Sequence, residues 1–327
     1  MSGSDGNDDA PRQVVAHNKK RALVGTLLAA IGAISYGVTV VFGRYFAEAG
    51  FSAPTVVGVR FSGAAVVILF FLAVTRRKIM PARRERLATV TVAFFGFFLT
   101  AQLFFVALQN GSAGMVALLF YAFPAIVLIG DYLLGVKAST TSVVALCLAG
   151  LGTSLIALAG DGSGINAVGV MFALLSAGTY AFGLLASGRW LIRTDPVAKS
   201  FWVCSIVGGA ALIQGTIFGG LENPGGYWGW FVANMFATVG AYTFVLVALS
   251  FINPTRTGVI MTLEAVSAVI IGWLVLGETL GAIQLIGGAV VLGAAILIAA
   301  DTSADEDAAD VAQSQELEAE AEAEAET

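Results

Sequence analysis

The sequence predicts an all-α integral membrane protein with ten transmembrane helices, arranged as two inverted five-helix repeats. Three observations lead to this prediction: the composition, ten apolar stretches of suitable length, and short motifs that recur in the second half of the chain. Hydrophobic residues make up 57% of the 327 positions and charged residues only 12%, with a mean hydropathy of +0.86. A soluble globular chain is about 25% charged, so lipid is expected to be the main solvent of this one.

Ten stretches are long and apolar enough to cross a bilayer, which takes roughly 20 residues per helix. They are predicted to be helices because backbone polar groups in lipid must be satisfied within the segment itself. Charge clusters and turns rich in Gly, Pro and Asn separate one stretch from the next. The predicted helices run over 22–46, 54–75, 87–108, 113–134, 141–159, 167–190, 197–218, 228–250, 255–276 and 281–300.

The positions of Lys and Arg predict the orientation. Bases precede the first helix, six bases lie within 76–86 after the second, and others follow the fourth and sixth helices at Lys137, Arg189 and Arg193. All of these connections fall on one side of the membrane, and cytoplasmic loops are the ones enriched in Lys and Arg. Both termini are therefore expected to be cytoplasmic, which agrees with an even number of spans.

The two ends of the chain are polar. Residues 301–327 contain 11 acidic side chains and no base, and such segments cannot bury enough apolar surface to fold alone. The predicted organisation is a disordered N-terminus over 1–21, repeats over 22–160 and 161–300, and a disordered acidic tail over 301–327. An acidic tail with arginine in excess of lysine is typical of a salt-rich cytoplasm, and predicts the plasma membrane of a halophilic prokaryote.

The two halves share short motifs at a nearly constant spacing of 141 to 145 residues. Five helices is an odd number, so the second copy is expected to be inverted relative to the first, as in many transporters. The matched pairs are Gly43-Arg44-Tyr45 with Gly188-Arg189-Trp190, Tyr36 with Tyr180, Pro54 with Pro196, Val106-Ala107-Leu108 with Val247-Ala248-Leu249, and Leu151-Gly152 with Leu292-Gly293.

Several motifs within 22–300 resemble one known family, the EamA-type ten-helix permeases with two EamA repeats, which belong to the drug/metabolite transporter (DMT) superfamily. Ala265 stands where the family usually has proline, and Gly135-Val136-Lys137 stands where Gly-Glu is common. The motifs that carry the resemblance are Arg60-Phe61, Ser112-Ala113-Gly114 with Pro124, and Leu263-Glu264-Ala265 leading to Gly277-Glu278.

The resemblance implies a secondary transporter that moves a small polar metabolite or drug-like compound across the cell membrane. Alternating access would be driven by the substrate gradient, by exchange or by protons. The competing interpretation is a membrane-embedded enzyme acting on a lipid or lipid-linked substrate, which needs a nucleophile with a base, or a metal cluster, inside the bilayer. The single histidine, His17, precedes the first helix. We therefore expect a small-molecule substrate and the lipid bilayer as partners, with no nucleic acid, cofactor, metal or catalytic residue.

Two charged residues within predicted helices are the foremost candidates for the transport pathway. A charged group at the bilayer centre costs about 3 kcal/mol by insertion scales and usually marks a functional site. Glu264 is expected either to face a central cavity, where it binds a cation or a proton, or to hydrogen-bond a neighbouring helix for packing. Arg60 is expected to bind a substrate carboxylate or phosphate, to pair with Glu264, or to extend outward to the interface.

Four uncharged polar residues complete the candidate set. Tyr36 and Tyr180 lie midway along equivalent helices, where they can stack on a ligand or serve packing alone. Gln102 and Gln284 are expected to line the pathway or to hydrogen-bond between helices. The repeat places Trp202 at the position that matches Arg60, so the site is not expected to be symmetric in charge.

Overall fold

The computed structural model is predominantly helical over the residues it describes and confirms the all-α fold class. It describes residues 9–135, 140–158, 165–252 and 257–297, the last range with gaps at 259, 262, 278–280, 284, 291 and 295. Within these ranges the one β-type pairing is an isolated bridge between Gly111 and Ile165.

Ten helical segments, α1 to α10, follow the predicted order along the chain. The third combines two α-helical parts with a π-helical part between them, and the fourth is broken into α4a and α4b. Their bounds are α1 Asp9–Glu48, α2 Ala53–Val74, α3 Arg86–Thr91 with Val92–Phe98 and Leu99–Gln109, α4a Ala113–Phe120, α4b Phe123–Leu133, α5 Thr140–Leu158, α6 Ala167–Trp190, α7 Pro196–Phe218, α8 Trp228–Ala248, α9 Leu263–Leu276 and, with its gap, α10 Leu285–Ala294.

Six of these helices, α1 to α3 and α6 to α8, are individually long and apolar enough to span a membrane among the described residues. Large apolar side chains such as Val66 and Phe70 of α2 are about 70% exposed, at 67% and 71%. Such a surface suits lipid contact. The structure also begins α1 at Asp9, within the segment predicted to be disordered, where Arg, Gln and Lys are all good helix formers.

Polar caps and prolines define where the spans begin. Ser52 caps α2 through its hydroxyl, and Asp195 caps α7 through its carboxylate. Each is closely followed by a proline, Pro54 or Pro196, in the first turn of its helix, where a missing N–H causes no loss. The two starts are equivalent in the repeat, so the same local chemistry sets the ends of both helices.

Two helices depart from regular α geometry near the centre of the molecule. The π-helical part of α3 over Val92–Phe98 brings Gly96 against Gly183 of α6 so closely that an added Cβ on Gly96 would lie 2.6 Å from the Gly183 Cα. The fourth span breaks between Phe120 and Phe123, close to Pro124, which has no backbone N–H to continue a helix. Both irregularities flank the region where the two halves meet.

Each helix contact between the two repeats has a counterpart in which the repeats have exchanged roles. α1 contacts α8 as α6 contacts α3, and α1 contacts α9 as α6 contacts α4a and α4b. α2 and α7, which are equivalent to each other, are also in extensive contact. This pattern is that of a pseudo-twofold axis passing between α2 and α7, with the two halves interleaved around it.

Candidate functional site

A cavity lies between the two halves, lined by residues of α1, α2, α3, α4a, α6, α8 and α9. It encloses about 480 Å³ of empty space, part of it open to the surroundings. Only about 40 Å³ of this space is accessible to the centre of a water molecule, which is room for a few waters. Its lining residues are Tyr36, Thr39, Val40, Gly43, Arg60, Thr100, Ala101, Phe104, Phe105, Leu108, Phe120, Tyr180, Tyr242 and Glu264.

The cavity occupies only the half of the molecule that the charge distribution predicts to be outer. From Tyr36 in mid-membrane it extends along α1 to Gly43, near the end of that helix at Glu48. The repeat equivalents of its outer lining residues Arg60, Phe104, Phe105 and Leu108 do not line it. These equivalents are Trp202, Val245, Leu246 and Leu249.

Three tyrosines from three helices form the inner end of the cavity. The rings of Tyr36 and Tyr242 have centroids 5.1 Å apart, and those of Tyr36 and Tyr180 lie 6.1 Å apart at 74°. Tyr180 also packs edge to face on Phe123 at 4.9 Å. The Tyr180 hydroxyl is buried beside that of Tyr36, at the cavity surface that a bound solute would contact.

Arg60 brings a positive charge to the cavity wall. Its guanidinium carbon lies 4.8 Å from the centre of the Phe61 ring, a cation–π contact. The Nε atom is buried and makes no hydrogen bond to any residue that the structure describes. Buried donors are normally satisfied, so an unpaired arginine donor bordering a cavity can bind an anionic group.

Glu264 brings a carboxyl group to the same cavity from α9. The side chain is 2% exposed, and its Oε2 atom has no hydrogen-bond partner in the described structure. The Tyr121 hydroxyl, which donates to the Met261 carbonyl at 2.5 Å, also interacts with this carboxyl. Arg60 and Glu264 form no ion pair with each other. The basic and the acidic residue that the sequence predicted for the pathway therefore both line one cavity without contacting each other as a pair.

Threonine hydroxyls add polar surface to the outer half of the cavity. Thr100 of α3 and Thr179 of α6 lie with their hydroxyl oxygens 2.7 Å apart, joining the two repeats beside the cavity. Thr39 donates to the Tyr36 carbonyl at 2.8 Å. Their small side chains leave space between the bulky aromatic walls, and their second lone pairs remain able to accept from a ligand.

The structure brings four of the six sequence candidates into one cavity: Tyr36, Arg60, Tyr180 and Glu264. Gln102 does not line it, although its Nε2 atom is buried and unpaired among described residues. Gln284 lies outside the described residues. Sequence reasoning missed Tyr242, Thr39 and Thr100. Tyr242 pairs in the repeat with Ala101, so it lacked the matching tyrosine that marked Tyr36 and Tyr180.

Comparison with known proteins places this architecture in a family. The EamA-like transporter family model matches the chain twice, over residues 23–158 and 167–300. The chain belongs to the EamA-like transporter family. An uncharacterized transporter from Archaeoglobus fulgidus is 26% identical over 230 residues, which cover 70% of this chain and 82% of that protein. One crystal structure of a protein superposes with a TM-score of 0.66 at 14% identity, covering 84% of this chain and 95% of the other. At that identity the similarity concerns the fold alone.

Membership confirms the predicted resemblance to the EamA-type permeases and the two-repeat, ten-helix architecture. The protein is a multi-pass membrane transporter and not an enzyme, which removes the competing interpretation. Its partners are accordingly the lipid bilayer and a small-molecule substrate.

Proposed function

We propose that this EamA-family protein is a secondary transporter that carries a small polar metabolite across the cell membrane by alternating access. The observation that carries the proposal is the cavity lined by both repeats, in which a cationic and an acidic side chain border the same space without pairing. Arg60 binds an anionic group of the substrate, and Glu264 binds a cationic group or a proton. Tyr36, Tyr180 and Tyr242 form the floor on which the solute rests.

The uneven distribution of space supports a cycle with two states. The cavity lies in the outer half, and the repeat equivalents of its outer wall, such as Val245 and Leu246, are buried and do not line it. Inverted repeats exchange their conformations to produce the opposite state. In that state a cavity would open in the inner half. Trp202 would line it at the position that Arg60 holds in the outer cavity. The orientation follows the charge distribution, with both termini in the cytoplasm.

Uptake into liposomes tests the function. Purified full-length protein is reconstituted and challenged with a panel of radiolabelled amino acids, nucleosides, sugars and organic acids, with and without a pH gradient. We expect saturable uptake of one chemical class. A proton-coupled cycle is further expected to lose its dependence on the pH gradient in Glu264→Gln, and to keep it in Glu48→Gln, which removes an exposed acid that pairs with Arg44.

The outcomes separate the parts of the proposal. Absence of uptake above protein-free liposomes for every class would contradict the transport of small polar metabolites. Uptake by Glu264→Gln that keeps the wild-type pH dependence would contradict a proton-binding role for this carboxyl while leaving the transport function standing.

A further inference from the structure

The axial helices α2 and α7 are tied together at the predicted outer face by a group of hydrogen bonds, here called the outer staple. It joins Ser52 and Thr55 at the start of α2 to Gly220 and Glu222 in the connection after α7. The Glu222 carboxylate accepts from the Ser52 N–H at 3.2 Å and the Ser52 hydroxyl at 2.8 Å, and it lies within hydrogen-bond distance of the Thr55 hydroxyl. The Glu222 N–H in turn donates to the Thr55 oxygen at 2.9 Å.

A second group, the inner staple, ties the same two helices at the predicted cytoplasmic face. It joins Ala82 and Glu85, in the connection after α2, to Arg193 and Thr194 just before α7. The Glu85 carboxylate accepts from the Arg193 N–H at 2.8 Å and from the Thr194 hydroxyl at 2.6 Å. The Ala82 N–H donates to the Thr194 hydroxyl oxygen at 3.2 Å. Glu85 is only 6% exposed, so this carboxylate is largely shielded from water.

The two staples are equivalent under the inverted repeat. Ser52 and Thr194 each stand two residues before the proline that opens the helix, Pro54 in α2 and Pro196 in α7. In both cases a glutamate from the connection that follows the other helix accepts from this hydroxyl. The same tie is therefore made once on each side of the membrane.

Between the staples α2 and α7 are in backbone contact. An added Cβ on Gly208 of α7 would lie 2.5 Å from the Ser62 nitrogen of α2, and one on Gly58 would lie 2.7 Å from a Leu212 methyl group. Contacts this close leave little room for sliding, because packed interfaces have few alternative arrangements. The pair is thus fixed along its length as well as at its ends.

The outer staple is made while the cavity occupies the outer half of the molecule. It therefore does not have to break for the outer half to hold a cavity. The inner staple is its repeat equivalent, so by the same symmetry it does not have to break when the inner half opens. Neither carboxylate then has to release its partners for a cavity to exist on its side.

We infer that the stapled α2–α7 pair is the stationary element of the transport cycle, around which the other helices move. The inference rests on the proposed alternating access. It assigns Glu85 and Glu222 as positioning residues that act through the axial pair and not through the substrate. The moving elements are then the cavity-wall helices, of which α1 and α9 contact each other at Gly37 and Ser267.

Cross-linking combined with thiol accessibility tests the inference in the full-length protein. The background carries Cys147→Ser and Cys204→Ser, and Ala101→Cys in the cavity wall reports access. A membrane-impermeant maleimide is applied to right-side-out and to inside-out vesicles. One variant adds a disulfide within the axial pair, Gly58→Cys with Leu212→Cys. The matched control adds one between wall helices, Gly37→Cys with Ser267→Cys, and is compared with its own reduced form because a Cβ at Gly37 falls within 3 Å of α9.

We expect Ala101→Cys to react from both faces, and to keep both rates within about twofold when the axial pair is linked. Linking α1 to α9 is expected to slow reaction from one face by about tenfold or more, because one of two states is removed. Loss of reaction from either face on linking the axial pair would overturn the inference, as would a wall link without effect. Reaction from one face only, before any link, would contradict alternating access itself.

A second measurement does not depend on disulfide formation. If the inner staple were a gate, Glu85→Gln would favour the inner-open state and raise the ratio of inner to outer reaction of Ala101→Cys. For a stationary tie we expect this ratio to stay within about twofold of the unmodified value, even where the variant lowers the melting temperature. A larger increase would identify the inner staple as a gate and overturn the inference.

Discussion

The rings of Tyr36 and Tyr180 meet edge to face, 6.1 Å apart between centroids, at the inner end of the central cavity. The two residues hold equivalent positions in the two repeats, 144 positions apart. Their contact therefore lies where α1 and α6 approach the pseudo-twofold axis. A residue pair so placed contributes to packing through its rings and to solute binding through its hydroxyls, and the two contributions can be separated by substitution.

Tyr180→Phe is expected to weaken substrate binding without weakening the fold. The variant keeps the ring that packs on Phe123 and removes a buried hydroxyl at the cavity surface. Loss of one hydrogen bond to the solute is worth about 1 kcal/mol, so the half-saturation concentration for uptake should rise by about fivefold. Uptake titrations and thermal unfolding in detergent measure the two effects.

Tyr180→Ala is the contrasting variant. Removal of a buried aromatic ring leaves a cavity and typically costs about 3 to 5 kcal/mol, so this change should lower the melting temperature markedly. A Tyr180→Phe protein that unfolds as early as Tyr180→Ala would show that the hydroxyl serves packing, contrary to the site proposed for it.

Arg60→Lys is expected to impair transport although the positive charge is retained. Lysine lacks the planar fork that binds carboxylate or phosphate through two donors, and hydrogen bonds to charged groups are worth about 1.5 to 3 kcal/mol. We expect an affinity loss of about tenfold or more for an anionic solute. The matched control is Arg86→Lys at the exposed start of α3. Equal uptake by both variants would favour an Arg60 that serves only the cation–π contact with Phe61.

The sequence was sufficient for the fold class because each span is apolar along its whole length. That same property limits prediction of the site, since a helix that is hydrophobic all round carries no periodicity to show which side faces inward. Arg60 and Glu264 were predictable because charge in lipid is unusual. Gln102 and Tyr242 were not distinguishable by this criterion, and only Tyr242 proves to line the cavity.

A local irregularity in the backbone of α3 helps to explain why Gln102 does not line the cavity. The π-helical part of α3 immediately precedes the turn that contains Thr100, Ala101 and Gln102. A π-helical turn contains an extra residue relative to an α-helical one, so it shifts which side chains face the cavity. Nothing in the apolar run Val92–Phe98 indicates this shift in advance, apart from Gly96 within it.

Gly96→Ala is expected to destabilise the protein through backbone crowding. The new methyl group would lie 2.6 Å from the Gly183 Cα, so α3 and α6 would have to separate. Overpacking of this kind typically costs about 1 to 3 kcal/mol. Gly178→Ala is the matched control, because a Cβ added at this α6 glycine meets nothing within 4 Å. Melting temperatures in detergent compare the two; a Gly96→Ala protein as stable as Gly178→Ala would contradict the close contact.

The stabilisation contributed by the outer staple is expected to depend on pH. Partial burial acts to raise the pKa of Glu222, but hydrogen bonds from Thr55 and Ser52 outweigh it and hold the pKa below its ordinary value. The unfolded chain, with a glutamate pKa of about 4.3, therefore takes up protons before the folded one does. The contribution of Glu222 is then complete well above this value and is lost as the pH falls through the lower, folded pKa.

Thermal unfolding from neutral pH to about pH 3.5 measures this dependence. The difference in melting temperature between wild type and Glu222→Gln should be constant near neutrality and shrink on acidification. Thr55→Val removes the partner hydroxyl and leaves the carboxylate, so in that background the effect of Glu222→Gln should fall, as a double-mutant cycle detects for residues in contact. Two results would contradict the hydrogen bonds of the staple as the source of this stabilisation. One is a melting-temperature difference that grows as the pH falls, and the other is a difference of equal size with and without Thr55→Val.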